Sequence, residues 1–358
     1  MVYRRALAAL VAVPVLSVVI SGVGIVAAFR ILASAGASVS DGPGAATNSF
    51  PVSPPRNAPV TVFVVGDVML DRTVATRIRK ANDALYPFRR IMEEPLFRSA
   101  HARLMNLEGP VTAVRRAPEK SIDFAFAPES VSSLRAAGFD AASQANNHAW
   151  DQGRIGAAES RDRLRQSGIV AFGDEVEEGA VSLAIMRLNG RSVALVGFNT
   201  VTGAFDETGA MKAMDAARAA DLVLAFMHWG EEYRDRPTPD QQKRAMWLID
   251  HGADAVIGAH PHWTQGVGLY RGKPILYSLG NFVFDQDWSE ETREGLAALL
   301  TFSDRDVAID LLPVRIDQSQ PRLLEGASRD ARLRRLSSLS DPSLTNQILN
   351  GKIILPVN

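Results

Sequence analysis

The 358-residue chain has no cysteine. Disulfides, thiolate metal ligands and a cysteine nucleophile are therefore excluded. Net charge is nearly absent as well: it is −1, with 39 Lys and Arg against 40 Asp and Glu. This balance leaves no basic footprint for nucleic acid, and an anionic ligand has to be met by local cations or a metal rather than by a general positive field. There is no internal repeat, coiled-coil pattern or GxGxxG fingerprint. Histidine is sparse at six residues, which makes its placement informative. His148, His228, His260 and His262 fall in three short polar clusters, Asn146-Asn147-His148, His228-Trp229-Gly230 and His260-Pro261-His262, each following an apolar, strand-like run. Two further polar tips, Gly66-Asp67 and Asn106-Leu107-Glu108, end similar runs.

The apolar fraction of 46% is that of an ordinary globular protein. The length suits one large domain or two small ones. At the N-terminus, Arg4 and Arg5 precede an uncharged stretch over 6–29 that ends at Arg30. As a helix that stretch spans roughly 36 Å, enough for a bilayer core of about 30 Å. Residues 1–30 thus read as a membrane anchor. The competing reading is a signal segment, with a cleavage site at Ala33-Ser34-Ala35. With Arg4 and Arg5 on the cytoplasmic side, the expectation is a single-pass cell-membrane protein whose folded part lies outside, or a secreted one if the segment is cleaved. Residues 31–59, rich in Pro, Ala, Ser and Gly, read as a flexible linker.

Residues 60–65 (VTVFVV) form a continuous β-branched run that predicts a strand buried on both faces. Further strands are expected over 103–107, 141–143, 181–188, 193–198, 222–227, 255–257, 275–279 and 307–314. Helices are expected over 130–137, 155–167 and 240–251, the last stopped by Gly252. The pattern predicts an α/β domain over 60–317 with mixed or paired sheets, followed by a C-terminal tail over 318–358 packed on it through a basic surface helix. His101 and His251 are expected on helix surfaces.

Imidazole, carboxylate and amide oxygen are the donors for a hard-to-borderline divalent cation. Strand ends can assemble them, because ligands in open α/β sheets bind outside the carboxyl ends of the strands. Taken singly, an Asp after a strand is a turn or helix cap, and a lone His is a satisfied core residue. The combination of five polar strand ends favours a metal site.

The ordered motifs GDVMLDR, NLEGPVT, NNHAWDQG, HWGEEY, GADAVIGAHPHWTQG and YSLGNFVFD resemble the CapA family of capsule-synthesis proteins. That family is tied to poly-γ-glutamate and is similar to the calcineurin-like metallophosphoesterases. The resemblance implies a four-layer α/β/β/α metallophosphoesterase-like sandwich holding one or two divalent ions (Mn, Zn, Fe or Mg). It implies Asp67, Glu108, Asn147, His228, His260 and His262 as metal ligands, with His148 protonating a leaving group. Asp151 would position His148, Arg72 and Arg154 would steady substrate anions, and Asn281 and Asp285 would orient ligands. Met69 departs from the pattern, which has a histidine there. The implied substrate is a phosphoester or an anionic cell-envelope polymer, and the implied partner a membrane synthase or export complex. Two readings stand at this point, a metal-dependent hydrolase and a non-catalytic accessory protein that binds the polymer or the synthase.

Overall fold

A computed structural model describes residues 58–173 and 183–357. The expected membrane segment and nearly all of the linker lie outside these residues, as does the start of the strand expected at 181. Among the described residues no helix is long and apolar enough to cross a membrane.

In chain order the strands are β1 (Val60–Val68), β2 (Ala102–Leu107), β3 (Ala141–Ser143), β4 (Val170–Phe172), β5 (Leu183–Leu188), β6 (Arg191–Asn199), β7 (Leu222–His228) and β8 (Ala255–Ala259). They continue with β9 (Val267–Tyr270), β10 (Lys273–Leu276), β11 (Asn281–Val283), β12 (Glu294–Phe302), β13 (Asp306–Asp317), β14 (Gln320–Leu323) and β15 (Lys352–Pro356). One sheet has the order β14-β13-β12-β1-β2-β3-β4, with β11 added on β1 and β15 on β13. Its β1 to β4 run parallel, and its β12 to β15 pair antiparallel. The second sheet has the order β5-β6-β7-β8-β10-β9, parallel from β6 through β10.

The strands place alternate residues in different layers, as their period of two requires. Val60, Val62 and Val64 of β1 meet Leu222, Leu224 and Phe226 of β7 in a core between the two sheets. Phe63 and Val65 face outward and pack with Val74, Leu134 and Leu164 from helices Arg72–Ala81, Ser130–Ala136 and Gly153–Gln166. On the far side, Val223 and Ala225 pack with Met214 and Leu248 from helices Glu207–Ala217 and Pro239–Asp250. The result is a mixed α/β sandwich of two sheets with helices on both outer faces. Each fully buried Val, Leu or Phe contributes about 1.5–3 kcal/mol before entropy is counted.

Helix Pro239–Asp250 begins with a capping box. The Thr238 side chain accepts from the Gln241 N–H, and the Gln241 side chain accepts from the Thr238 N–H. The segment after 318 is more than a packed tail. It carries the expected helix, Gly326–Leu339, but also β14 and β15, and Ile353 and Leu355 join the core between the sheets.

Candidate metal centre

The carboxyl ends of β1, β2, β3, β7 and β8 carry the polar clusters to one edge of the sandwich. Register fixes the pairs: Asp67 lies opposite Asn106 on one side and Asn281 on the other, while His228 lies opposite Ala259. Gly66 is required for this approach. A Cβ there would sit 1.8 Å from the Gly280 carbonyl oxygen, and the Asp67 N–H donates to that same oxygen at 3.0 Å.

Asp67, Glu108 and His262 are buried and offer ligand atoms within 4.8 Å of one another, so they could hold a metal ion. Asp67 Oδ1 accepts from Asn106 Nδ2 at 2.8 Å, and Oδ2 accepts from the His260 N–H at 3.4 Å. Asn281 Oδ1 stands 2.9 Å from His262 Nδ1, which leaves Nε2 facing Glu108 Oε1 at 3.7 Å. A hydrogen bond on the far nitrogen is what orients an imidazole for ligation. Asn281 is itself fixed, its Nδ2 donating to the Thr292 carbonyl at 2.9 Å and to Gln286 Oε1 at 3.0 Å.

Three more expected ligands adjoin this trio. His228 Nε2 lies 2.8 Å from Asn147 Oδ1, and the His228 and His260 rings are 4.8 Å apart. Asn106 ties the two halves together. Its Nδ2 reaches His228 Nδ1 at 3.3 Å as well as Asp67, and its Oδ1 accepts from Asn146 Nδ2 at 3.1 Å. His260 and His262 both have positive φ, 97° and 56°. Such backbone costs of order 1–3 kcal/mol per residue and persists where the surroundings hold it.

The donors fit a divalent cation. Both Glu108 carboxylate oxygens and His260 Nδ1 are buried without a hydrogen-bond partner. Burial, and then the Asp67, Glu232 and Asp151 carboxylates, push the Glu108 carboxyl well above its ordinary range. Burial and the neighbouring imidazoles hold His228 well below its usual value and His260 down at about 3. Neutral imidazoles beside a carboxylate deprived of water are poised to accept a cation.

His148 Nδ1 lies 2.7 Å from Asp151 Oδ2, and its ring packs 4.3 Å from that of Phe124. The Arg72 guanidinium lies over the same Phe124 ring, 5.3 Å from its centre, and is bound by Asp285. Asp285 thus engages Arg72 and the Thr73 N–H, rather than orienting a histidine. Arg154 does not reach the cluster. Gly153, at φ 67°, starts a helix whose first turn leaves Arg154 exposed, lining a shallow surface cavity with Ile155, Ala158 and Asp162. Met69 is fully buried among Phe63, Val74 and Phe282, and its sulfur accepts from the Asp71 N–H at 3.0 Å, so it serves the core. His101 lies just before β2, against Thr61, rather than on a helix; His251 caps a helix and stacks on Trp247.

Several residues at the site escaped the sequence reading. Asn106 and Asn146 sit in recognised polar tips, but their bridging depends on register. Tyr233, held by its N–H to the Pro261 carbonyl, stands 6.0 Å from the His262 ring. Burial and Glu232 push its phenol up to about 12. Lys120 and Phe124 arrive on a loop with no sequence signal of its own.

Two buried acidic side chains and a set of imidazoles at converging strand ends form a cluster that could hold a metal ion. The family model "Bacterial capsule synthesis protein PGA_cap" matches residues 61–286. The capsule biosynthesis protein CapA of Bacillus anthracis is 31% identical over 304 residues, covering 77% of this chain and 72% of that protein. The PGA biosynthesis protein CapA of Bacillus subtilis is 28% identical over 313 residues, covering 82% and 81%. A probable polyglutamine synthesis accessory protein of Mycobacterium tuberculosis is 28% identical over 263 residues, covering 63% and 68%. The chain belongs to the bacterial capsule synthesis protein family PGA_cap.

Proposed function

We propose that this chain acts in the synthesis or export of capsular poly-γ-glutamate or a related anionic envelope polymer, through a metal-dependent, phosphoesterase-like hydrolytic site. Its setting in this reading is a membrane-anchored domain outside the cytoplasm, beside a membrane synthase or export complex. The observation that carries the hydrolytic part is the convergence of Asp67, Glu108 and His262, with both Glu108 oxygens buried and unpaired. Asp67, Glu108 and His262 would hold one cation, and Asn147, His228 and His260, which adjoin them, would supply donors for a second. When bound, a divalent ion supplies Lewis acidity, bringing water near its nucleophilic form at neutral pH and polarising a phosphoryl or carbonyl oxygen. Asp151 holds His148 through Nδ1, leaving Nε2 to give a proton to the departing oxygen. Arg72, already bound to Asp285, orients the Phe124 side of the site and offers its remaining N–H groups to a substrate anion.

The test is metal content measured together with hydrolysis of a phosphodiester, a phosphomonoester and poly-γ-glutamate, with Mn²⁺ or Zn²⁺ added. Metal-dependent turnover lost in an H260A/H262A variant supports the reading. Bound metal without turnover favours a second reading, an accessory protein that binds polymer or synthase. Met69 in the core, where the resembled enzymes place a ligand, supports that alternative, as does the accessory role named for the mycobacterial relative.

A further inference from the structure

The loop over 112–126 leaves β2 after Glu108 and lies across the start of helix Gly153–Gln166. The ties between them are many. The Val111 N–H donates to Ser160 Oγ at 2.9 Å, the Ala113 N–H to Glu159 Oε2 at 3.1 Å, and the Arg116 N–H to Gln152 Oε1 at 2.8 Å. Gln152 Nε2 returns to Asp123 Oδ1. What this loop delivers to the site is one ammonium and one ring. Lys120 Nζ lies 2.5 Å from Asp151 Oδ1 and donates to the Asn147 carbonyl at 2.6 Å. Phe124 packs on the His148 ring, and its N–H donates to Asp151 Oδ2 at 2.7 Å.

We infer that Lys120 is a positioning residue that sets the His148 imidazole from both sides, through the Asp151 carboxylate and through the Asn147 carbonyl. The Asp151 side chain is fully buried, and one of its oxygens is occupied by His148 and the Phe124 N–H. Lys120 supplies the cation facing the other oxygen, so the carboxylate stays in place to accept from Nδ1. A buried charge deprived of its partner moves, takes up a proton or admits water. Any of these releases the imidazole to turn. The hydrogen bond to the Asn147 carbonyl fixes the peptide between Asn147 and His148, so that one ammonium, through this bond and the ion pair to Asp151, sets the backbone position and the ring orientation together. Groups that orient a functional histidine in this way typically matter about 10–100-fold in activity.

The catalytic consequence rests on the hydrolytic reading, but the positioning does not. It is therefore read first by chemistry that needs no substrate. In the full-length protein, diethyl pyrocarbonate labels accessible imidazoles, and mass spectrometry follows each histidine separately. In K120M the His148 rate is expected to rise about fivefold, the factor that one partly solvated hydrogen bond sets on a local opening equilibrium, with His101 and His251 unchanged as references. K120Q, which keeps a donor without the charge, is expected to raise it as well, and K120R to restore the native rate within about twofold. An unchanged His148 rate in both K120M and K120Q overturns the inference, and so does a rise that K120R fails to reverse. If a hydrolysed substrate is in hand, kcat falls about tenfold in K120M with KM unchanged. A native protein with no turnover at all would sink the hydrolytic reading while leaving the labelling result to decide the role of Lys120.

Discussion

Replacing Glu108 by Gln should push stability and metal binding in opposite directions. In metal-free protein the Glu108 carboxyl is buried, both oxygens lack a hydrogen-bond partner, and burial and its carboxylate neighbours hold its pKa well above the ordinary range. A group whose pKa is raised by folding contributes stability below the unfolded value and loses it as pH climbs through the folded value. The native metal-free protein should therefore lose stability through this residue as pH rises above the ordinary carboxyl range, where a neutral side chain would change nothing. Glutamine has nearly the same shape, carries no charge, and offers an amide donor to Asp67. The E108Q protein, stripped of metal, should be about 1–3 kcal/mol more stable than native at pH 8, the cost of a buried group left unsatisfied. With Mn²⁺ the order should reverse. A native site at 100-fold excess over its dissociation constant gains about 2.7 kcal/mol, and E108Q, lacking the negative donor, gains little. Urea denaturation at pH 5.5, 7 and 8, with chelator and with Mn²⁺, measures all of this. A metal-free E108Q protein that is less stable than native at every pH would refute the reasoning. Equal Mn²⁺ stabilisation of the two proteins would refute it too.

Other consequences are equally direct. His260, held at about 3 by burial, has its pKa depressed by folding, so its contribution is full above pH 6.5 and is lost as pH falls; H260N should remove about 2 kcal/mol of the destabilisation between pH 7 and pH 5 seen by denaturant titration. Asn281→Ala removes one partner of His262 Nδ1 and should weaken Mn²⁺ affinity about 10–100-fold by calorimetry, alongside a loss of about 1–3 kcal/mol in stability from the Thr292 carbonyl left unpaired. Gly66→Ala puts a methyl 1.8 Å from the Gly280 carbonyl and should cost about 3 kcal/mol in thermal or chemical unfolding, with metal affinity lost alongside. Met69→His would bury a polar ring among Phe63, Val74 and Phe282 and should destabilise by about 2 kcal/mol or more without raising the bound-metal count by mass spectrometry.

Much of the sandwich was legible because its central strands are buried on both faces and so read as unbroken apolar runs: 60–65, 193–198 and 222–227 became β1, β6 and β7. The helix at Pro239–Asp250 announced itself through its apolar face and its Gly252 stop. Strands β14 and β15 did not, because they are four and five residues long and bury little, Pro321 alone in β14 and Ile353 and Leu355 in β15. The candidate site residues that the structure brings together lie at or just after strand ends, where the hydrophobic pattern itself marks the break. Lys120 and Phe124 could not be found this way. Their partners, Asp151 and His148, are set by the fold of a polar loop, and nothing in RRAPEKS distinguishes it from any solvated turn. Arg154, expected to steady a substrate anion, lies exposed in the first turn of helix Gly153–Gln166, which carries it outward.

The distance along the chain between Asp67 and His262 bears on when a cation can be acquired. No fragment ending before β8 contains both sides of the cluster, and β1 is held in its sheet by β12, a strand more distant still. In the proposed metal-binding reading, high affinity would arise late, after these non-local pairings have formed. Selection among metals is then governed by whatever is available at the place and moment where folding ends, rather than by competition along the way. Nascent or partly unfolded chains would in that reading be poor scavengers, and an ion, once enclosed, would act as a brake on reopening.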